Sequence, residues 1–460
     1  MTTLATLPEA RHALVFGPPR GKRRADWRDL LAGLGWVSTA FAVTLYLAGG
    51  IRITTFADAL YALGVVSGLV ATNSMLFMLL LAARVPAIDR AIGQVKAIQW
   101  HKKLGQVTVL GLLAHAVLIL TSVALDNQAS VVAALQLLWS SDLALALTAL
   151  GLLLVISVTS VVAVRRKLRY EVWHAIHLLS YAAVILAIPH MFTMGATLAT
   201  GTWQRVYWTT LLLAVGTCLL AYRVLIPLYR SLRHDLRLSE VTPIAPDVCH
   251  LTFTGRHLDQ LAAEGGQYFV WRLGARGLWA QPHPFSLSAA PTGDTLRVTV
   301  RVIGDGTARL IGAKPGTRVF FEGPYGGFTD RSRTRNGLLL VGAGSGVTPI
   351  YSMLESSMAE PTLTTVVLRA SRPEELLLVD EFRHLCYERG VALHVLVGPR
   401  HGGRWVNAKY ASHDLSSLVG DLKDCDVFVC GPAGFVDAVL TEAASLGVAE
   451  EQCHEERFDW

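Results

Sequence analysis

The segment His101–Leu120, HKKLGQVTVLGLLAHAVLIL, has the composition of a membrane helix and carries two histidines, His101 and His115. An ionisable side chain within a bilayer is costly and marks function by default. Outward from this segment, the 460-residue chain is 52% hydrophobic and 17% charged; an average soluble domain has about 25% charged residues. The deficit is local. Residues 28–230 are almost continuously apolar, whereas 231–460 have the balance of a soluble protein. Six spans follow, at about 29–50, 57–83, 103–125, 142–164, 171–194 and 204–229. Each approaches or exceeds the roughly 20 residues that a helix needs to cross the hydrocarbon core. The first apolar run is too long for a signal peptide and lacks a clear small-residue cleavage site, so it reads as an anchor.

Basic residues give the expected orientation. Arg11, Arg20, Lys22, Arg23, Arg24 and Arg28 precede span one. Arg84, Arg90, Lys96, Lys102 and Lys103 fall between spans two and three, and Arg165, Arg166, Lys167 and Arg169 between spans four and five. The opposite side has Arg52 and Arg205. The positive-inside rule then puts the chain in the cell membrane as a multi-pass protein, with both termini and the soluble half in the cytoplasm. The same bias accounts for a pI near 9.0 and gives no ground for nucleic-acid binding. The six cysteines show no disulfide, zinc or iron–sulfur spacing.

Span five, EVWHAIHLLSYAAVILAIPHMF, adds His174, His177 and His190. Spans three and five run in the same direction. Fourteen residues rise about 21 Å and thirteen about 19.5 Å. His101 is therefore level with His177, and His115 with His190. Two cross-helix pairs at two depths are what two bis-histidine haems require. No C-x-x-C-H occurs, so they would be non-covalent b-type haems. The alternative is histidines satisfied by neighbouring carbonyls. On a straight helix His190 lies roughly 140° from His177; Pro189, directly before it, is a means of re-aiming it. His174 has no partner at its depth and reads as an accessory group.

The soluble half changes pattern once. DVCHLTFTG, GQYFVWRL, TLRVTVRVIG and TRVFFEGP, within 235–332, read as short strands of an antiparallel barrel. From 333 onward, GLLLVGAGSGVTPIYSML, TLTTVVLRAS, ALHVLVG and DVFVCGPAGF read as apolar strands between helices, a doubly wound α/β domain. The turn Gly342–Pro349 offers backbone N–H groups and a helix start to a pyrophosphate; a plain strand–helix turn is the alternative. The expected architecture is a multidomain membrane protein: a basic tail (1–28), a six-helix transmembrane bundle (29–232), an antiparallel β-barrel (233–332) and a doubly wound nucleotide-binding domain (333–460).

HPFSLS, RVIGDGTARL, EGPYGG, GAGSGVTPI, CGPAGF and the final EERFDW resemble, in order and spacing, the ferredoxin–NADP reductase family. With the six spans and paired histidines, the chain resembles the transmembrane ferric reductase and NADPH oxidase superfamily over residues 30–460. The resemblance implies FAD, two b-type haems (His101 with His177, His115 with His190) and NADPH, with NADH as the alternative. It makes 233–332 the FAD domain. His283, Pro284, Phe285 and Ser286 would hold the flavin, with Phe285 beside its ring and the Ser286 hydroxyl toward N5. Arg301, Gly306 and Thr307 would face the pyrophosphate of FAD. Gly342, Gly344, Gly346 and Thr348 would form the nicotinamide-dinucleotide loop, and Cys430, Gly431 and Pro432 would lie beside the nicotinamide. Phe458, with Trp460 as a second candidate, would cover the flavin. Core packing is the alternative for Phe285, Phe458 and Cys430. Separately, Arg369 and Arg372 end a strand where arginine suits the 2′-phosphate of NADPH.

The implied activity is an NAD(P)H oxidase or ferric reductase-type oxidoreductase, passing electrons from cytoplasmic NADPH across a lipid membrane to a small-molecule acceptor. Oxygen, giving superoxide, is the first expectation; a ferric or cupric chelate is the second; a cytochrome conduit feeding a partner protein is the third. The sequence shows no required protein partner. It departs from eukaryotic oxidases, having no arginine in span two before Arg84 and only His101 and His115 in span three.

Overall fold

The computed structural model describes residues 24–458, apart from 195–197, 199, 280, 403 and 411. Most of the basic tail, and Trp460, lie outside the described residues. Two compact units divide the chain, one of them Asp26–Ile226 and the other running from Pro227 onward.

The first unit is helical. Its long helices are α1 (Arg24–Leu47), α2 (Phe56–Ala82), α3 (Pro86–Asp126), α4 (Ser141–Ser160), α5 (Tyr170–Thr193) and α6 (Trp203–Leu220), the last continuing through a π turn at Ala221–Leu225 into Ile226–His234. Among the described residues, six helices are thus long and apolar enough to span a membrane, as the hydropathy predicts. One expectation changes. The basic segment between spans two and three is not a loop: Pro86 opens a helix that runs through it into span three, interrupted at Gly93, whose φ of 71° no helix permits. Proline at the first helical position favours this start. Small residues let α2 and α3 approach closely: added Cβ atoms on Gly64 and Gly111 would meet Ile119 at 2.9 Å and Ala71 at 2.8 Å, the close approach that G-x-x-x-G patterns such as Gly64–Gly68 allow between membrane helices. Polar side chains tie α1, α2 and α6. Ser38 Oγ donates to Asn73 Oδ1 at 2.9 Å, Asn73 Nδ2 donates to Thr39 Oγ1 at 2.6 Å, and Tyr207 Oη lies 2.7 Å from Ser38 Oγ.

The second unit begins with two three-stranded antiparallel sheets. One has the order β1 (Arg237–Ala245), β2 (Val248–Thr254), β5 (Thr295–Arg301); the other β4 (His283–Ser286), β3 (Tyr268–Leu273), β6 (Val319–Tyr325). Single bridges, Leu287 to Val298 and Arg237 to Arg318, join them into the expected barrel. β1 and β4 are strands that the sequence pattern does not single out. Both contain a proline, and both are sheet edges, where the lost N–H donor is tolerated.

A parallel sheet follows, ordered β11 (Cys453–Arg457), β10 (Cys425–Gly431), β7 (Gly337–Ala343), β8 (Thr364–Ala370), β9 (Ala392–Val397). The chain moves outward from β7 through β8 to β9, then crosses back to β10 and β11. Side-chain alternation puts Leu338 and Leu340 in one core and Leu339 and Val341 in the other. Helices cover both faces: Val347–Ser356 and Val379–Arg389 on the first, Ala433–Ser445 on the second. Barrel and sheet are linked by Glu381, which accepts from Arg297 at 3.0 Å and lies 3.3 Å from His250 Nε2.

Candidate functional site

Two arrangements stand out, one in each unit. In the helical unit the four depth-matched histidines come together as two pairs. The rings of His101 and His177 have centroids 6.1 Å apart, and those of His115 and His190 are also 6.1 Å apart. A metal–imidazole bond is about 2 Å, and an imidazole nitrogen lies roughly 1.1 Å from its ring centre for ring bonds near 1.33 Å. A metal between two imidazoles therefore sets the centroids about 6.3 Å apart. The two centroid separations match that spacing. His190 comes to His115 despite the straight-helix arithmetic, and Pro189 stands inside α5 immediately before it.

Nearest neighbours prepare these rings unequally. His115 Nδ1 donates to the Gly64 carbonyl at 2.8 Å, and His101 Nδ1 donates to the Met78 carbonyl at 3.4 Å. Both acceptors are on α2. A proton on Nδ1 leaves Nε2 as the nitrogen with an available lone pair. Gly68 lies against the same ring, since a Cβ there would come within 2.7 Å of His115 Nδ1. By contrast, the Nδ1 atoms of His177 and His190 are buried without a hydrogen-bond partner. Gly64 and Gly68 escape a search for chemistry-bearing residues; the G-x-x-x-G spacing in span two is the signal that finds them. His174 lies beside Trp173, not in either pair.

In the other unit the order of strand addition reverses between the parallel neighbours β7 and β10, and a crevice outside the carboxyl ends of such strands is where open α/β sheets bind ligands. The glycine turn and the Cys430–Pro432 segment lie there, with Cys430 in register with Gly342. Gly344 has φ 57°. A Cβ on Gly346 would meet the Cys430 carbonyl oxygen at 2.3 Å, and one on Gly342 the Val347 Cα at 3.2 Å. Thr348 Oγ1 donates to Ser345 O at 2.9 Å, tightening the helix start. Phe458 donates its main-chain N–H to the Gly431 carbonyl at 3.2 Å, and its half-buried ring packs on the core that contains Cys430. Burial pushes the Cys430 thiol well above its ordinary range.

Strand β4 presents the barrel's contribution. His283 is buried, its ring parallel to that of Phe285 at 6.1 Å, and burial holds its pKa below the ordinary histidine value. Pro284 pairs with Val270 on β3 and is exposed. Gly306 approaches this strand, a Cβ there meeting His283 Cε1 at 3.4 Å. Thr307 Oγ1 caps its own turn, accepting from the N–H groups of Ile303 and Gly304 at 2.9 and 3.2 Å. Arg301 pairs with Asp247 at 3.4 Å. Glu456 escapes the sequence reading altogether. It is in register with Cys430 on β11 and lies near Ser286 and Gly326. Desolvation by burial raises its carboxyl to about 8, with the neighbouring Ser286 hydroxyl opposing the shift. His283 Nε2, Ser286 Oγ and Glu456 Oε2 are all sealed from solvent without a well-formed hydrogen bond; buried polar atoms are usually satisfied. These are groups that a flat, polar-edged ring system would satisfy.

Arg369 corrects one expectation. It is buried, and its guanidinium donates to the main-chain carbonyls of Trp405 at 2.8 Å and Gly398 at 2.6 Å. It ties β8 to the following loops and is not turned toward a ribose phosphate. Arg372 is exposed and pairs with Glu375 at 2.9 Å.

Comparison with known proteins gives two family matches: "Ferric reductase like transmembrane component" over residues 67–188, and "Oxidoreductase NAD-binding domain" over 340–441. The first includes His101, His115 and His177 and stops two residues before His190; the second includes the glycine turn and Cys430–Pro432. The chain is 32% identical over 198 residues to the ferredoxin reductase component of 3-ketosteroid-9-alpha-monooxygenase from Mycobacterium tuberculosis (strain CDC 1551 / Oshkosh), covering 42% of this chain and 54% of that one. It is 28% identical over 238 residues to ferredoxin–NADP reductase B of Sorangium cellulosum, covering 49% and 97%. It thus spans about half the length of the first of these relatives. Among solved structures, flavohemoglobin from Malassezia yamatoensis aligns with a TM-score of 0.45 at 18% identity, covering 92% of this chain and 99% of that one.

Proposed function

We propose that this chain, which joins a ferric reductase-like transmembrane domain to an NAD-binding oxidoreductase domain, carries electrons from cytoplasmic NADPH through FAD and two b-type haems to an acceptor beyond the membrane. The observation that carries the reading is the pair of 6.1 Å histidine gaps. Among the described residues no cluster of three or more histidine, cysteine or acidic side chains gathers, so a metal in these gaps takes its other ligands from outside the side chains, as from a porphyrin. When bound, a flavin converts a two-electron hydride donor into single-electron steps, and a haem iron carries one electron at a time. The protein's part is placement. His101 and His115 present Nε2 because their Nδ1 protons are engaged by α2 carbonyls. His283, Ser286 and Glu456 supply polar contacts for the flavin, and Phe458 covers it. The turn Gly342–Thr348 receives the dinucleotide phosphates at a helix N-terminus. Cys430, uncharged and small, leaves room beside the nicotinamide. Glu456 keeps its proton below about pH 8 and so adds no negative charge where hydride is delivered.

Dioxygen, with superoxide as product, is the proposed acceptor; a ferric or cupric chelate is the alternative. Delivery to a partner protein gains support from the relatives, whose names describe reductase components of monooxygenase systems. One experiment separates these. Membranes containing the full chain are supplied with NADPH under oxygen, with and without superoxide dismutase or ferric citrate, beside a His190→Ala control. Superoxide-linked consumption that His190→Ala abolishes supports oxygen. Consumption only on adding ferric citrate moves the assignment to the chelate. Electron flow unaffected by His190→Ala rejects the haem route.

A further inference from the structure

The histidine pairs differ in what surrounds them. Trp173 lies one turn before His177 on α5, and its ring stacks on the His177 imidazole with centroids 5.0 Å apart and planes 29° apart. The Arg165 guanidinium lies over the same indole, 4.5 Å from its centroid. Its Nη1 also donates to the Leu168 carbonyl at 3.4 Å. Tryptophan and arginine are both common at membrane borders, as interfacial belt and topology signal. Here the arrangement is more particular. Arg165 is half-buried, whereas its basic neighbours Arg166, Lys167 and Arg169 are exposed. Among the described residues, His115 and His190 make a ring contact only with each other, edge-on at 74°.

We propose that Trp173 is a positioning residue for His177 as an iron ligand, and that Arg165, held on the same indole, is the fixed charge that raises that iron's reduction potential. The proposal rests on the haem reading above. Its logic is geometric. The last torsion of a histidine side chain is broad, and His177 Nδ1 has no hydrogen bond to fix it. His101, its partner, is anchored on the Met78 carbonyl. The indole is therefore the restraint on the His177 ring, and it sets the ring plane 49° from that of His101, against 74° in the other pair. The relative orientation of two axial imidazole planes governs the splitting of the iron orbitals and the anisotropy of the oxidised low-spin spectrum. Arg165 acts differently. Reduction lowers the positive charge at iron by one, so a nearby cation favours the reduced form, and a low-dielectric surrounding strengthens the effect.

The test uses full-length protein in a His190→Ala background, which leaves the His101–His177 pair as the haem site. Haem content, electron paramagnetic resonance and potentiometric titration are recorded. Trp173→Leu should shift and broaden the low-spin signal, and Trp173→Phe, which keeps a ring, should retain the parent signal. Arg165→Gln should leave the signal in place and lower the potential, reducing the equilibrium constant for filling this site severalfold, at about 59 mV for each tenfold; Arg165→Lys should stay near the parent. If Trp173→Leu loses haem and Trp173→Phe does not, stacking is supported; equal loss in both overturns it. An unaltered signal in Trp173→Leu overturns the positioning role, and an unaltered potential in Arg165→Gln overturns the charge role. Absence of haem from the unmutated chain is a different result, which rejects the parent reading.

Discussion

On the proposed di-haem reading, replacing Gly68 by alanine should loosen one haem and spare the other. The new Cβ would stand 2.7 Å from His115 Nδ1 and 3.2 Å from its Cε1 and Cγ. Comfortable carbon contacts lie at about 3.5–4.0 Å, so the ring must withdraw by roughly 1 Å. Its hydrogen bond to Gly64, now 2.8 Å, does not survive that movement, a loss of about 0.5–1.5 kcal/mol. The Nε2 also leaves its place opposite His190. Removing outer-shell support of this kind lowers metal affinity about 10–100-fold, equivalent to roughly 1.4–2.7 kcal/mol. The assay is the haem-to-protein ratio of purified protein after incubation with an apo-globin scavenger. Gly68→Ala should fall from two haems toward one, with the His101–His177 spectrum intact. Gly151→Ala is the control, because a Cβ there meets nothing within 4 Å. Equal retention of both haems in the two variants would falsify the view that α2 positions His115.

Three further outcomes are expected. Glu456 has a folded-state pKa raised to about 8 from an ordinary 4.5, so the unfolded chain binds fewer protons between those values and stability should fall as pH rises through that window; Glu456→Gln should flatten the melting temperature against pH from 5 to 8, and an unchanged slope assigns it to other groups. Arg372→Ala should raise the KM for NADPH about tenfold, the loss of one charge-assisted bond of about 1.5 kcal/mol, while leaving that for NADH near its starting value; a KM for NADPH that stays put removes Arg372 from the phosphate site. Phe458→Ala should tighten nicotinamide binding and increase oxygen uptake from the flavin side, measured by rapid flavin reduction and an oxygen electrode. If neither moves, Phe458 is a core residue.

Much of this architecture is legible in the sequence because two simple periodicities govern it. Apolar length marks the spans, and a rise of about 1.5 Å per residue levels His101 with His177 and His115 with His190. The unread parts depend on partners distant in sequence. Arg369 reads as a phosphate ligand from its place at a strand end, yet the carbonyls of Trp405 and Gly398 claim its guanidinium. Glu456 carries no signal in the sequence, because it is the pairing of β11 with β10 that buries its carboxyl beside Ser286. β4 hides because proline and brevity mask a strand that only its pairing with β3 reveals. The basic segment after span two hides because positive charge suggests a loop, while Pro86 starts a helix there.

The unequal support of the four histidines has a consequence for assembly. α2 and α3 form one wall, locked by glycines and by the carbonyl contacts of His101 and His115. α4 and α5 form a second, packed through Ala149, Leu153 and Ala183. His177 and His190 stand on the second wall with no hydrogen bond at Nδ1; the Trp173 indole stacks on His177, so His190 is the least supported ring of the four. A ligand that binds only the assembled arrangement adds its binding free energy to folding. On the haem reading, an iron in each gap would therefore cross-link the two walls at two depths, with the hydrogen-bonded α3 rings as template and His190 as the adjustable side. On this reasoning α3 selects where the iron sits, and α5 determines how tightly the bundle closes around it.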